Sequence, residues 1–212
     1  MSFTDLQYYV PKSWKFYADE TLLIKVAENL NRYTPCDVCP RKDLIFQAFS
    51  RINPADVNRV FIGSPYATNT LNNGMFMAVT PGKTTAIPTV LNNYLATNNL
   101  PRDDLSLDTL VSNGTLLLNY PLTCVEKQKN AHINIGWEPF VVNLLEKLMF
   151  RPCPLELRVF DEIARNLCKK LAAVWIPDKN IEYYTTPYHK NVKLVNAARE
   201  KLSAGKPRSA SG

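Results

Sequence analysis

The chain has 212 residues, a hydrophobic fraction of 46 % and a net charge of +6. That length suits one compact domain. No run of about 18 apolar residues occurs, so no transmembrane helix is expected. The N-terminal stretch has no basic segment followed by an apolar one, so no secretory signal is expected and the protein is placed inside the cell, nuclear or cytoplasmic.

Taken in chain order, the first periodic segment puts Leu22, Leu23, Val26, Ala27 and Leu30 on one helical face. Cys36-Asp37-Val38-Cys39 follows as a CxxC. Arg59–Gly63 (RVFIG) reads as a short buried strand. Val90, Leu91, Tyr94 and Leu95 share a second helical face, and Thr115–Asn119 (TLLLN) is a second strand. Trp137, Phe140, Val141, Leu144, Leu145 and Leu148 give the clearest stripe, at i, i+3, i+4, i+7, i+8 and i+11. A third strand covers Leu157–Phe160 (LRVF), a helix carries Ile163, Leu167 and Leu171, and a fourth strand covers Ile181–Thr185 (IEYYT). A last helix is expected from His189 to Leu202. The tail from Ser203 to Gly212 is small, polar and basic, and disorder is expected there.

Strands alternating with helices imply an α/β fold: one domain over residues 1–202 with a four-stranded parallel sheet flanked by helices. Ligands of such sheets bind beyond the C-terminal strand ends. These ends are Gly63–Tyr66, Asn119–Thr123, Asp161–Arg165 and Thr185–Tyr188.

From Arg151 onward, 12 Lys/Arg face 6 Asp/Glu, so the whole net charge lies in this part. A basic half can attract phosphate backbones, and it can equally be a solubilising surface. Five scattered cysteines suggest free thiols in a reducing compartment. Cys153 and Cys168 could complete four ligands with the CxxC, but one CxxC is a weak signal, and neither a metal nor a cofactor is expected.

The strand ends also carry a resemblance. Leu116–Phe140 (LLLNYPLTCVEKQKNAHINIGWEPF) resembles, without gaps, the family-1 uracil-DNA glycosylases, which carry LLLN, then LTV, then Ser-His and Gly-Trp-Glu at these intervals. Ala48–Gly63 is similar to the strand leading into that family's catalytic loop. Asn73–Leu95 is similar to its uracil-stacking segment and the proline-rich loop that follows. The resemblance implies the uracil-DNA glycosylase fold and a target nucleotide flipped into a pocket. It also implies a base pocket made of Tyr66, Phe76 and Asn119. Tyr66 would exclude the thymine methyl, Phe76 would stack on the base, and Asn119 would read its polar edge.

The family's chemical groups are not matched. Its Gly-Gln-Asp-Pro-Tyr-His loop is one residue shorter here, Gly63-Ser64-Pro65-Tyr66-Ala67, so that Ser64 stands where the aspartate should be or the aspartate is deleted. Its His-Pro-Ser-Pro loop is best matched by Thr185-Thr186-Pro187-Tyr188, which places Thr186 at the histidine. Neither side chain carries charge. The longer loop that bears the family's wedging leucine is missing. No other aspartate lies close to Ser64 in sequence, and Asp161 and Glu162 sit where they would complement a helix N-terminus.

The expectation is therefore a catalytically degenerate homologue acting as a DNA-binding or protein-binding subunit in replication or repair. Its expected partners are DNA, single- or double-stranded, and another protein. His132, Arg165, Lys169, Lys170 and Lys190 are the candidate DNA contacts. Two alternatives stand beside it. One is an active divergent glycosylase that recruits His189, Thr186 or backbone groups. The other is a protein-interaction scaffold without DNA binding.

Overall fold

The structure is a computed structural model that describes residues 2–69, 71–77, 107–153, 155–173 and 181–183. The elements expected at Val90–Leu95 and His189–Leu202, and the tail, lie outside these residues.

Helix α1 spans Glu20–Leu30, and Asp19 caps it by accepting the Leu22 N–H at 3.0 Å. Its buried face is Leu23, Val26, Ala27 and Leu30. A two-residue strand β1 (Val38–Cys39) and a short helix α2 (Gln47–Ser50) follow. Strand β2 covers Arg59–Gly63, helix α3 Leu107–Ser112, strand β3 Thr115–Asn119 and strand β4 Cys124–Val125. Helix α4 covers Trp137–Met149, strand β5 Glu156–Val159, helix α5 Glu162–Ala173 and strand β6 Ile181–Tyr183.

The main sheet has the order β3-β2-β5-β6, and every pairing in it is parallel. Strand β2 pairs Gly63 with Asn119 on one side and Ile62 with Val159 on the other. Every residue of β3 is buried, as is all of β2 after Arg59. Central strands covered on both faces must read as unbroken apolar runs, and these do. Strand β5 starts one residue earlier than LRVF suggests, because Glu156 joins the ladder opposite Arg59 and binds it by an ion pair of 2.6 Å.

The core includes Trp14, whose indole N–H donates to the Ile52 carbonyl at 2.9 Å and whose ring meets Phe49 edge-on. It also takes in the whole α4 stripe. The 3-10 turns before α1 and the antiparallel β1/β4 ribbon have no counterpart in the periodicity. They are too short to show one. Among the described residues, no helix is long and apolar enough to cross a membrane.

Candidate base pocket at the strand ends

The three adjacent strands β3, β2 and β5 end side by side in Asn119, Gly63-Ser64 and Phe160-Asp161. Asn119 is 2 % exposed, and among the described residues neither its Oδ1 nor its Nδ2 has a hydrogen-bond partner. A buried amide with both ends unsatisfied costs on the order of 1–3 kcal/mol per group. Folded proteins rarely keep such a group without a use for it. The Ser64 hydroxyl, beside it, is also buried and unpartnered.

Phe76 closes one wall. Its N–H donates to the Leu117 carbonyl at 3.1 Å, and its ring rests on Phe160 with centroids 5.3 Å apart. Gly63 makes this possible, since a Cβ there would lie 2.3 Å from the Phe76 ring. Gly74 turns the chain into Phe76 at φ +84°, where a Cβ would strike the Leu44 carbonyl. Tyr66 is half-buried, and burial pushes its phenol above the ordinary value, so it stays protonated.

The segment behind Tyr66 is pinned. Asn72, 1 % exposed, donates to the Tyr66 carbonyl at 2.8 Å and accepts the Gly74 N–H at 3.0 Å. It thus ties the two pocket-bearing segments together. The Cys124 thiol also reaches the Tyr66 carbonyl, at 3.5 Å. Glu126 accepts the Asn69 N–H at 2.8 Å and the Cys39 thiol at 2.9 Å. Asn72 escaped the sequence reading, although Asn72-Asn73-Gly74 is a turn signature in which such side-chain braces are common.

His132, for which the motif position allows a DNA-facing or a structural role, is fully buried. Its Nδ1 meets the Thr123 hydroxyl at 2.9 Å, and its ring lies against Tyr33 with centroids 4.4 Å apart. The Trp137 indole donates to the same hydroxyl at 2.7 Å. An indole N–H can only donate, so the hydroxyl hydrogen is left available for Nδ1. Burial lowers the His132 pKa to about 4, which keeps the ring neutral. Thr123, His132 and Trp137 form a structural hub beneath the Asn119 segment.

The remaining basic candidates lie on α5. Arg165 sits in its first turn and binds Glu162 at 3.4 Å. Lys169 is 3.9 Å from Glu162, and Lys170 pairs with Glu138 at 2.6 Å. The two lysine pairs are exposed and hold little energy, whereas the Arg165 side chain is half-buried. Thr186 and Lys190 lie outside the described residues. So does His189.

The four cysteines weighed as metal ligands do not converge. Cys36 and Cys153 are exposed, Cys39 faces Glu126, and Cys168 is buried on α5. Among the described residues, no three His, Cys, Asp or Glu side chains gather as a metal site.

Asp161 is the group whose position the sequence concealed. One carboxylate oxygen accepts the Ala164 N–H at 2.9 Å and caps α5, as its place in the sequence suggests. The other accepts the Ser64 N–H at 2.5 Å, 97 residues away in the chain. A carboxylate therefore stands at the end of β2 even though Ser64-Pro65-Tyr66-Ala67, directly after the strand, carries none.

No family model matches the chain. A uracil-DNA glycosylase of Streptococcus pyogenes serotype M3 is 31 % identical over 148 residues, which is 68 % of this chain and 66 % of that protein. The chain belongs to the uracil-DNA glycosylase family. The match thus spans just under two thirds of that bacterial relative, and a serotype M49 protein of the same description matches to the same extent. Among solved structures, mimivirus uracil-DNA glycosylase superposes with a TM-score of 0.68 at 20 % identity, covering 86 % of this chain and 72 % of that one. The UNG structure from Nitratifractor salsuginis superposes at 0.59 and 20 % identity, covering 93 % and 92 %. A mimivirus UNG variant solved in complex with UGI gives 0.66 at 21 % identity, covering 85 % and 70 %. At these identities the structures speak for the fold, which is the glycosylase α/β architecture expected from the motifs.

Proposed function

We propose that this family member reads uracil in DNA by holding an extruded base against Asn119, and that the excision chemistry of the family's loop is degraded in it. The unpaired, buried Asn119 amide carries the reading. A primary amide offers one acceptor and two donors, which matches the alternating donor and acceptor edge of uracil. Phe76 and Tyr66 flank it as flat or half-buried aromatics suited to a pyrimidine ring. Arg165, Lys169 and Lys170, on the helix leaving the same sheet edge, supply the cations that would meet phosphates, with Lys190 as a further candidate. Ser64 offers no charge to a developing sugar cation. Losing one preorganised transition-state group costs about 3–4 kcal/mol, or two to three decades in rate. The protein then serves chiefly as a DNA-binding subunit in repair or replication within the cell, with another protein as its partner.

An active but divergent glycosylase is favoured by one observation, the Asp161 carboxylate at the end of β2. The test of the main reading is a gel shift with single-stranded oligonucleotides carrying one uracil or one thymine, across salt. Uracil-selective binding that weakens steeply between about 50 and 200 mM salt is expected. Binding that ignores both uracil and salt would overturn the reading and leave a protein-interaction scaffold.

A further inference from the structure

Granting that uracil is held at Asn119, we infer that Asp161 is the carboxylate that activates water for whatever excision this chain performs. It would act from the end of β5, not from the loop after β2. Asn119 and Asp161 sit at the ends of β3 and β5, on either side of β2. Neighbouring strands are about 4.8 Å apart, so the two backbones stand roughly 10 Å from each other across the tip of β2. The two side chains therefore belong to one cluster of strand ends, with Gly63-Ser64 between them.

The carboxylate is held for such a role. Its two oxygens are fixed by the Ser64 and Ala164 N–H groups, at 2.5 and 2.9 Å. Each oxygen keeps a second lone-pair site open. The Ser64 hydroxyl, buried and without a partner, lies on the residue that Asp161 holds and offers the same water a second hydrogen bond. Helix capping accounts for one oxygen of Asp161. It does not account for the contact with Ser64 or for the unpaired Asn119 and Ser64 groups alongside.

Water oxygen bonds to C1′ while the C1′–N1 bond breaks, and the bonding pair leaves on uracil. The water proton passes to Asp161 and then to solvent, and the uracil anion takes a proton from solvent. No group beyond water is consumed.

The experiment is single-turnover uracil release from a labelled single-stranded oligonucleotide, with excess protein. It compares wild type with Asp161→Asn and Asp161→Ser. Both replacements are good helix caps, so the α5 terminus is retained. Each variant is melted first and assayed below its transition, and its uracil-DNA affinity is measured by gel shift. The expected result is slow release by wild type and a loss of about a hundredfold or more in both variants, with affinity kept. Added formate should restore part of the Asp161→Ser rate, which a purely structural role would not allow. Equal release by wild type and both variants overturns the inference. So does a wild type with no release at all, although uracil-selective binding would then still stand. Loss of uracil-selective binding in wild type would sink the underlying reading instead.

Discussion

Replacing Asn119 with leucine should separate stability from function. The side chains share the same branching and number of heavy atoms, and the site is 2 % exposed at the end of a fully buried strand. Among the described residues the amide has no partner at either end. Removing an unsatisfied buried polar group recovers on the order of 1–3 kcal/mol. Misfit of the branched side chain takes back up to about 1.5 kcal/mol. A net gain of roughly 1 kcal/mol follows, which in a chain of this size raises Tm by about 2–4 °C. The assay is thermal and urea unfolding without DNA, alongside the uracil and thymine gel shifts. Asn119→Leu should be more stable than wild type and should lose its preference for uracil. A variant less stable than wild type by 1 kcal/mol or more would refute the reasoning. It would mean that the amide is already satisfied and is kept for the fold, not for a ligand.

Three further outcomes follow from the packing. Thr123→Val keeps the shape but leaves the Trp137 indole and His132 Nδ1 without partners, so urea unfolding should show a loss of about 2–4 kcal/mol. Gly63→Ala drives a methyl into the Phe76 ring, which a Cβ would approach to 2.3 Å. A loss of about 1–3 kcal/mol and weakened uracil selectivity are expected, read by melting and gel shift. His132 has a pKa of about 4 when folded and about 6.5 when unfolded, so the unfolded chain takes up the extra proton between those values. Its contribution is therefore complete above pH 6.5 and is lost as pH falls toward 4. Between pH 7.5 and 5.0 wild type should lose about 2 kcal/mol more than His132→Gln in urea titrations.

The sheet was legible because its strands are buried on both faces, so RVFIG and TLLLN announce themselves without help from tertiary structure. The α4 stripe was legible for the same reason at helical period. Local composition could not show which side chains meet across the strand ends. Ser64 and Asp161 are 97 residues apart, and a search for a carboxylate near Ser64 along the chain has no means of finding one on β5. For His132 the motif position left a DNA-facing and a structural role side by side, and only the convergence of Thr123, Tyr33 and Trp137 shows that the ring is enclosed.

This contrast bears on what the family resemblance can mean. Its densest stretch, Leu116–Phe140, contains Asn119 together with Thr123, His132 and Trp137. The last three form a buried hydrogen-bonded hub whose loss would cost stability whatever the protein does. Resemblance there is expected of any chain that keeps this fold, so it weighs little on activity. Asn119 differs from these three because, among the described residues, both ends of its amide lack a partner, whereas Thr123, Trp137 and Nδ1 of His132 bind one another. A retained base pocket therefore hangs on an amide that no described group satisfies, and retained chemistry on a carboxylate that lies outside the family motif.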